Sequence, residues 1–499
     1  MVFLGKISTM MCSYIYFFCL HITFRLRMAV ETGTYDTEAA KKATLDKITT
    51  ILRGLGAKKI YAKKLAPNDN SKNQPYLGAD LTDISFIPTG EIIASETKSN
   101  KPSVSKDNKR RIKYQVSLKM IWFDADGKIY PAPNAKVIYY PQYPEVRLSG
   151  FLIGSKADAG QWMDPYKNGR SLGRWLILGV NDDKTVYSYL VTPVCNLSNE
   201  LEETGHIKVS NVFRELLTGK EEVTSTRTAL LSKLLEVYEK GWIPSQKLSI
   251  HNVKEPYNAP NAAGYTLEAE LNITPNGIAE PDYLGWEIKQ FNVTSFPAKG
   301  VKPVTLMTPE PDGGYYKEQG GKQFVRIFGY PDKCGKPDRL NFGGIHQANK
   351  ICQATNLMLQ IYGFDNEQSS ITDARGYIAL VSHDQIVAAS WSFAKLMEHW
   401  KCKHSQVAYV PCLKRTSTLG QVEYHFGKEI ELGVGTNFER FLSAMYSQHI
   451  YYDPGIKLEH VSSHNPKIKK RSQFRIKHKD ISNLYKSYDI VDVLSFKED

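Results

Sequence analysis

The most restrictive feature of this sequence is a short segment near its middle, which reads Glu-Pro-Asp-Tyr-Leu-Gly-Trp-Glu-Ile-Lys. Alternate residues of a β-strand share a face, so Glu287 and Lys289 project to the same side of a strand here. Gly285 permits a turn before that strand, and the turn brings Asp282 back toward Glu287. The side chains on the opposite face point into packing: Trp286, Ile288 and Gln290. The segment therefore predicts a strand with one covered face and one face that carries two carboxylates and an amine.

Two carboxylates and an amine at the start of a strand are typical of a site for a hard divalent cation beside a phosphodiester. Mg²⁺ takes one or two carboxylates as ligands and completes its shell with water and phosphate oxygen atoms. We expect Asp282 and Glu287 to be these ligands. Lys289 lies beside both, so we expect it to stay charged, to orient the attacking water and to stabilise negative charge, with general-base action second. On spacing alone, an ordinary solvated strand with a Glu–Lys pair is the simpler interpretation.

The residues before this strand favour the catalytic interpretation. An apolar helical pattern is followed by Gly241-Trp242 and then by Thr266-Leu267-Glu268 on a second, short helix. The apolar residues of the first helix are Leu231, Leu234, Leu235 and Tyr238. This order of elements resembles the MvaI/BcnI family of restriction endonucleases, which have the PD-(D/E)xK nuclease fold. The resemblance covers about the second half of the chain.

The resemblance implies a Mg²⁺-dependent endonuclease that cuts double-stranded DNA at a specific site of the CC-S/W-GG kind. It also implies a monomer with one active site, and we expect a cognate DNA methyltransferase as its genetic partner. Glu268 would support the same site, although Glu270 is an equal choice by sequence alone. The alternatives are a strand-nicking repair endonuclease of the same fold and a DNA-binding protein with an inactive core. The complete set of Asp282, Glu287 and Lys289 argues against the inactive core.

Length and composition set the domain organisation. A chain of 499 residues is too long for one ordinary core, and its apolar and charged fractions are those of a globular protein. We expect a mixed α/β protein, with a mainly β N-terminal accessory domain over residues 28–220 and a PD-(D/E)xK nuclease domain over 221–499. The charged stretch at 216–228 is the expected linker. Contact with DNA is an open role for the accessory domain.

Periodicity predicts the main elements of both halves. Residues 37–55 have a helical apolar stripe preceded by Asp36 as a cap. Residues 111–122 alternate between apolar and polar side chains, which predicts one strand. The other N-terminal predictions are a hairpin turn at 124–127 and strands at 137–140, 175–180 and 185–191. In the C-terminal half, a glycine-rich segment at 313–323 precedes a strand-like run at 324–330. Strands are predicted at 377–382 and 407–411. Helices are predicted at about 391–400 and after Thr436 or Asn437.

The first residues form an apolar leader that needs its own interpretation. Residues 10–24 are apolar, but a helix needs about twenty residues to span a membrane. No small-residue cleavage site follows. We therefore expect residues 1–27 to be an over-extended gene start with initiation at Met28, with a membrane anchor as the alternative, and a protein of the bacterial cytoplasm. The seven cysteines form no CxxC pair, which favours free thiols over a zinc site or disulfides.

A basic segment near the C-terminus is the candidate DNA contact. Residues 467–479 contain seven Lys or Arg and no acidic residue. Such a run is typical of a solvated face or of an edge that contacts phosphates, and the nuclease elements favour the second. In the resembled family the base-reading segment ends in Phe-Arg-Ile, here Phe474-Arg475-Ile476, and an arginine matches the guanine edge. We therefore predict Arg475 as a base reader and its basic neighbours as phosphate contacts: Lys469, Lys470, Arg471 and Lys477.

The chain departs from the family pattern beside this segment. Lys470-Arg471-Ser472 stands where the family has a His-Asp-His-like cluster, and Lys457 stands where an arginine is expected. These departures concern the recognised sequence and not the reaction. Arg326 is the alternative candidate for recognition.

Three further features have a structural interpretation beside the functional one. The basic run at 98–113 predicts a loop that either grips the DNA backbone or is simply solvated. His346, in Gly-Gly-Ile-His-Gln, is predicted to be structural because a lone histidine in a turn usually is. Tyr139 is predicted to belong to a buried aromatic corner.

Overall fold

The computed structural model describes residues 34–67, 74–96, 112–164, 166–203, 206–216, 226–249, 251–273, 282–298, 301–403 and 406–497. The predicted leader, nearly all of the basic run at 98–113, and residues 217–225 of the predicted linker lie outside these ranges. Within them, no helix combines the length and apolar character that crossing a membrane requires.

The N-terminal segment, residues 34–216, consists mainly of strands. Its helices are α1 (Thr37–Lys41), α2 (Leu45–Gly54), α3 (Gly160–Met163) and α4 (Leu197–Glu203), with a 3₁₀ helix at Leu81–Ile84. Its strands are β1 (Lys59–Leu65), β2 (Tyr76–Gly78), β3 (Ile92–Glu96), β4 (Ile112–Ser117), β5 (Met120–Phe123), β6 (Ile129–Pro131), β7 (Lys136–Tyr140), β8 (Glu145–Ser149), β9 (Arg174–Val180), β10 (Val186–Val191), β11 (His206–Lys208) and β12 (Arg214–Leu216). They form a seven-stranded sheet, β11-β12-β1-β9-β10-β5-β6, and a five-stranded sheet, β2-β8-β7-β4-β3. The prediction of a mainly β N-terminal part is confirmed.

Two N-terminal elements were predicted at the correct positions, but each was predicted as one element and is in fact two. The Asp36 carboxylate accepts the N–H groups of Glu38 and Ala39, both at 3.0 Å, and so caps α1 as predicted. The helix then stops, because Thr44 has an extended backbone and caps a separate helix, α2. The alternating run at 111–122 is likewise two strands, β4 and β5, which belong to different sheets. The chain leaves one sheet and enters the other at Leu118 and Lys119.

The seven-stranded sheet is covered on both faces. One face packs on α2 through Ile48 and Leu52, which contact buried residues of β1 and β9. The other face shares a buried cluster with the five-stranded sheet. The sheet therefore lies between helices and a second sheet, as a strand-rich domain requires to bury two apolar surfaces.

The C-terminal segment, residues 226–497, mixes helices and strands. Its helices are α5 (Thr226–Glu239), α6 (Ala262–Glu270), α7 (Gly314–Phe328), α8 (Phe393–Lys403) and α9 (Phe438–Tyr446), with 3₁₀ helices at His478–Leu484 and Val493–Lys497. Its strands are β13 (Ile243–Pro244), β14 (Gln246–Leu248), β15 (Lys254–Pro256), β16 (Glu287–Asn292), β17 (Val304–Met307), β18 (Tyr330–Pro331), β19 (Arg339–Gly343), β20 (Ile351–Cys352), β21 (Leu357–Tyr362), β22 (Phe364–Asp365), β23 (Ser370–Ile371), β24 (Tyr377–Val381), β25 (Val387–Ser392), β26 (Gln406–Thr416), β27 (Val422–Phe426), β28 (Glu429–Val434), β29 (Ile450–Tyr452), β30 (Gly455–Glu459), β31 (Lys467–Lys469), β32 (Phe474–Ile476) and β33 (Ser487–Asp492). The mixed α/β fold class is confirmed.

A six-stranded sheet holds the segment that opened the sequence analysis. Its order is β13-β27-β26-β28-β33, and β16 pairs with β26 in parallel. Helices α5 and α6 cover one face, where Leu234 and Leu267 pack with Trp286 and Ile288. The other predicted elements of this segment are also present, since β24, β26 and α8 match the predicted ranges and Asn437 is the residue that caps α9.

The strand-like run at 324–330 was predicted incorrectly. Residues 314–328 form α7, so residues 324–328 belong to a helix and not to a strand. Gly320 has a φ of 79°, so the helix is kinked there, and the residues beyond the kink bury Phe324 and Val325. Adjacent apolar residues fit a strand by pattern alone, but here they pack on β19, β25 and β30 as one face of a helix.

The two segments share a buried core. One cluster of buried apolar side chains contains residues of β4 and β7 as well as residues of α8 and α9. Hydrogen bonds cross the same boundary: the Ile92 N–H donates to Glu398 Oε1 at 2.8 Å, and the Thr82 hydroxyl donates to the Thr436 carbonyl at 3.2 Å. The N-terminal segment therefore packs directly on the C-terminal one.

Candidate active site

A tight turn brings Asp282 to the start of β16. Tyr283 and Trp286 exchange two backbone hydrogen bonds, of 2.9 and 2.8 Å. Between them Leu284 and Gly285 have φ angles of 48° and 87°. Positive φ at both central residues is the pattern of a type I′ turn, and glycine accommodates it without strain. The turn predicted from Gly285 is therefore present.

The turn places the Asp282 carboxylate against the strand. Its Oδ2 accepts the Ile288 N–H at 2.9 Å, so the carboxylate lies at the peptide group that joins Glu287 to Ile288. The two acidic residues of the motif are thus brought together by a local contact, as the spacing indicated.

Glu287 is a buried carboxylate with one unused oxygen. The residue is only 5% exposed. Its Oε1 accepts a hydrogen bond from Lys289 Nζ at 2.9 Å. Its Oε2 is buried and has no hydrogen-bond partner among the described residues. A buried carboxylate oxygen without a partner is costly, and a hard cation that prefers oxygen ligands would satisfy it. The residues present therefore fit a divalent metal.

The rest of the metal environment is sparse. No group of three or more His, Cys, Asp or Glu side chains lies together in the part of the chain that the structure describes. Two carboxylates suffice for Mg²⁺, which keeps several waters and takes the remaining oxygen atoms from a phosphate. Cys412 is a buried free thiol, and burial raises its pKa to about 12, which disfavours the thiolate that a metal would need.

Sequence reasoning missed the neighbours that the sheet supplies to this face. Tyr409 of β26 lies directly beside Lys289, and Glu431 of β28 lies directly beside Tyr409. The hydroxyl groups of Tyr409 and Tyr485 are 2.9 Å apart. Burial first, and then the charges of Glu287 and Glu431, raise the pKa of Tyr409, so its hydroxyl stays protonated. A row of Lys, Tyr and Glu thus crosses three strands next to the carboxylate pair.

Glu431 anchors the far end of this row. It is a buried carboxylate that accepts a hydrogen bond from the Tyr488 hydroxyl. Its Oε2 also lies 3.0 Å from His478 Nε2, and the His478 ring packs on Phe291 at a centroid distance of 4.4 Å. No local spacing connects Glu431 or His478 to the motif, since both come from distant parts of the chain.

The acidic residues of α6 have different surroundings. Glu270 is buried, and its carboxylate pairs with Lys240 and with Lys254, the latter at 2.6 Å. Burial would raise the pKa of Glu270, but the hydrogen bonds from these two lysines lower it overall. Glu268 is half-exposed on the same helix, which packs on β16. The carboxylate of Glu270 is therefore already paired in a structural ion-pair cluster, and Glu268 is the better candidate to support the site.

Comparison with known families identifies the family of the chain. The model of the MvaI/BcnI restriction endonuclease family matches residues 231–485, which is 255 of the 499 residues. The chain belongs to the MvaI/BcnI restriction endonuclease family. It is therefore a site-specific deoxyribonuclease, and Asp282, Glu287 and Lys289 all fall within the family's range.

Two solved structures of restriction endonuclease MvaI are similar to about half of this chain. The complex of MvaI with cognate DNA substrate is 17% identical, covers 54% of this chain and 99% of its own, and has a TM-score of 0.39. MvaI without DNA is 16% identical with the same coverage and a TM-score of 0.31. No curated protein matches the chain.

Most of the residues proposed to contact DNA lie on or beside two short strands, β31 and β32, within the range that the family matches. Arg475 lies on β32, half-buried, and donates to Asp453 Oδ2 at 2.8 Å and to the Pro303 carbonyl at 2.7 Å. Lys469 and Lys470 are exposed at the end of β31 and just beyond it. Arg475 thus forms hydrogen bonds within the protein, whereas Lys469 and Lys470 belong to an exposed basic edge.

The exposed basic residues differ in their partners. Lys469 pairs with Glu459 at 3.1 Å and Lys470 with Glu310 at 3.3 Å. Arg326 of α7 donates to the Val461 carbonyl at 2.8 Å. Arg471 and Lys477 are exposed. Exposed lysines and arginines of this kind exchange partners with solvent easily, so they remain accessible to a phosphate.

Proposed function

We propose that this restriction endonuclease is Mg²⁺-dependent and cleaves double-stranded DNA at a specific sequence, with Asp282, Glu287 and Lys289 as its catalytic residues. This proposal is carried by the buried Oε2 of Glu287, which lies beside Lys289 on the same strand face and has no hydrogen-bond partner among the residues that the structure describes. An exposed strand with an ordinary Glu–Lys pair would leave both oxygen atoms in water, and here the carboxylate is buried.

Asp282 and Glu287 would hold the metal, and Glu268 would support them. When bound, Mg²⁺ neutralises phosphate charge and makes a water molecule more acidic. Lys289 is held by Glu287 Oε1, which fixes its ammonium at the edge of the site. From there it orients the attacking water and stabilises the negative charge that develops on the phosphate oxygen atoms. Tyr409, which is fully buried, occupies the neighbouring position of the sheet beside Lys289.

Recognition is assigned to the basic segment of the C-terminal half. We assign base reading to Arg475, because its planar guanidinium can exchange Asp453 for the edge of a guanine. The proposed phosphate contacts are exposed residues of the same basic segment: Lys469, Lys470, Arg471 and Lys477. Arg326 stays the alternative candidate for recognition. A site of the CC-S/W-GG kind, a monomeric enzyme, and a cognate methyltransferase complete the proposal.

The proposed division of the chain is an accessory domain over 28–220 and a nuclease domain over 221–499. A cavity of about 220 Å³ supports a role for the accessory domain near the site, because Lys58 and Lys59 line it together with Leu284 and Gly285 of the catalytic turn. DNA that approaches this turn would meet the N-terminal segment as well.

Cleavage of a supercoiled plasmid by charge-removing variants tests the catalytic assignment. Asp282→Ala, Glu287→Gln and Lys289→Ala should each lower the cleavage rate in Mg²⁺ by about 10² or more, because each removes charge that acts on the phosphate or the metal. Specific DNA binding should survive in all three. The matched control is Glu255→Gln, an exposed glutamate of β15, which should cleave like the unmodified enzyme.

The product form separates the candidate reactions. Linear DNA with defined ends indicates restriction, and accumulation of nicked circles indicates a strand-nicking enzyme. Substantial cleavage by Asp282→Ala in Mg²⁺ would contradict the metal-site assignment.

A further inference from the structure

A large cavity lies in the N-terminal segment, outside the range that the family matches. Its volume is about 720 Å³, and residues of β1, β8, β9 and β12 line it. Pockets that bind small molecules have volumes of about 300–1,000 Å³. The cavity is therefore large enough for an organic ligand and much larger than a single inorganic ion.

The charges that line this cavity are unbalanced. Five of its described lining residues are basic, and none is Asp or Glu: Lys63, Lys64, Arg147, Arg174 and Arg214. Arg147 pairs with Glu145 at 2.7 Å, and Lys64 pairs with Glu202. No such carboxylate neutralises the other three within the described ranges. The cavity is consequently a place of positive potential, which favours an anionic ligand.

Lys63 occupies a position that the strand pattern reserves for an apolar side chain. It lies between Tyr61 and Leu65 on the face of β1 that points into the buried cluster. Only 6% of the residue is exposed, and its ammonium donates to the Lys64 carbonyl at 3.1 Å. Burial lowers the pKa of Lys63 to about 8. A buried ammonium that has a carbonyl but no carboxylate gains most from an anion placed beside it.

Arg174 adds a fixed charge, and apolar residues complete the wall. Arg174 is 1% exposed and donates to the carbonyl groups of Ser171 and Trp162, which hold it without cancelling its charge. Pro67 and Val212 are apolar lining residues that stay accessible, whereas Met163 and Phe213 are buried. Cationic groups beside apolar walls suit a ligand that joins a phosphate to a flat, weakly polar ring.

We propose that this cavity binds a nucleotide, with its phosphate at Lys63 and its base against the accessible apolar residues Pro67 and Val212. The same chemistry is present in a free nucleotide and in the terminal nucleotide of a DNA strand. The cavity contains none of Asp282, Glu287 and Lys289, so binding of a nucleotide there does not depend on whether those residues catalyse cleavage.

Calorimetric titration of the full-length protein in EDTA tests the proposal, since EDTA removes metal from the catalytic residues. The probe is deoxycytidine 5′-monophosphate, with deoxycytidine as the comparison that lacks the phosphate. Hydrogen bonds to charged groups are strong enough that Lys63→Met should weaken binding of the nucleotide about tenfold or more, and deoxycytidine should bind weakly to both proteins. Lys119→Met removes the same charge from an exposed lysine outside the cavity and should change binding less than about twofold.

Proton uptake provides a readout that needs no variant. An anion beside Lys63 favours its charged form, so the unmodified protein should take up protons when it binds the nucleotide near pH 8. Titrations in two buffers with different ionisation enthalpies measure this uptake. Lys63→Met should abolish the uptake while its DNA cleavage in Mg²⁺ stays unchanged.

A second probe separates the two sources of the nucleotide. Hexathymidylate with a 5′-phosphate should bind through Lys63 if the cavity takes a DNA end, whereas only the free nucleotide should bind if the cavity is closed to a strand. Absence of binding by both probes at millimolar concentration would overturn the proposal. Equal affinity of Lys63→Met and the unmodified protein for the nucleotide would overturn it as well.

Discussion

Glu439→Gln should make the protein more resistant to unfolding at alkaline pH. Glu439 of α9 and Asp80 of the N-terminal segment share the Tyr139 hydroxyl, which donates to Glu439 Oε1 at 2.9 Å and also interacts with Asp80. Glu439 Oε2 is buried without a hydrogen-bond partner in the described ranges. Burial first, and then the charge of Asp80, raise the pKa of Glu439 to about 7. Burial likewise raises the pKa of Asp80 to about 6.

The direction of the pH effect follows from the protonation of Glu439 in the folded and in the unfolded protein. Between about pH 4.5, the ordinary pKa of a glutamate, and about pH 7, the folded protein keeps a proton on Glu439 that the unfolded chain has lost. The free energy of unfolding therefore falls as pH rises through this window. One pKa unit corresponds to about 1.4 kcal/mol, so the loss is on the order of 2–3 kcal/mol between about pH 5 and pH 8. Glutamine keeps an acceptor for Tyr139 and does not ionise, so the variant should escape most of this loss.

Thermal unfolding at about pH 5 and pH 8 measures the difference. For a chain of 499 residues we expect the melting temperature of Glu439→Gln, relative to the unmodified protein, to be about 2 °C higher at pH 8 than at pH 5. Glu429→Gln, in which the replaced glutamate is exposed on β28, is the matched control and should show no such change. An equal effect of Glu439→Gln at both pH values would refute the reasoning, because it would mean that Glu439 does not gain a proton on folding.

Three further predictions concern the C-terminal segment. Arg475→Ala should cost about 1–3 kcal/mol of discrimination against the wrong base pair in competition binding, and an equal loss for specific and random DNA would instead make Arg475 a backbone contact. Lys477→Ala should weaken binding to all sequences alike and reduce the slope of log K against log salt by about 1, so an unchanged slope would remove it from the DNA contact. Glu270→Ala should lower the melting temperature, because it leaves two lysines without their buried partner. Glu268→Ala should lower the cleavage rate and leave the melting temperature unchanged. The reverse pattern would assign the structural role to Glu268 and the supporting role to Glu270.

Local signals in the sequence were sufficient for the centre of the site. The period-2 alternation at Glu287 and Lys289 and the glycine at 285 determine a strand and a turn without reference to the rest of the chain. The same holds for the Asp36 cap, which depends on residues two and three positions away. Features of this kind are predictable because every interacting group lies within a few residues.

Features that depend on pairing between distant strands were not predictable. Nothing near Lys289 indicates that Tyr409 and Glu431 are its neighbours, because their register is set by the parallel pairing of β16 and β26 and the antiparallel pairing of β26 and β28. The electrostatic interaction between Asp80 and Glu439 has the same origin, since it exists only where the two segments meet. The helix α7 was missed for a different reason: glycine disfavours helices by local propensity, and tertiary packing overrides it.

The core shared by β4, β7, α8 and α9 determines how the N-terminal segment can behave as the enzyme works. An appended domain on a flexible tether reaches along a substrate over a range of distances, and swings between contacts. A segment that buries apolar side chains and hydrogen bonds in its neighbour cannot do so without exposing them to water. Any contact that this segment makes with DNA therefore falls at a constant distance from the scissile phosphate. The segment would fix the spacing between that contact and the point of cleavage.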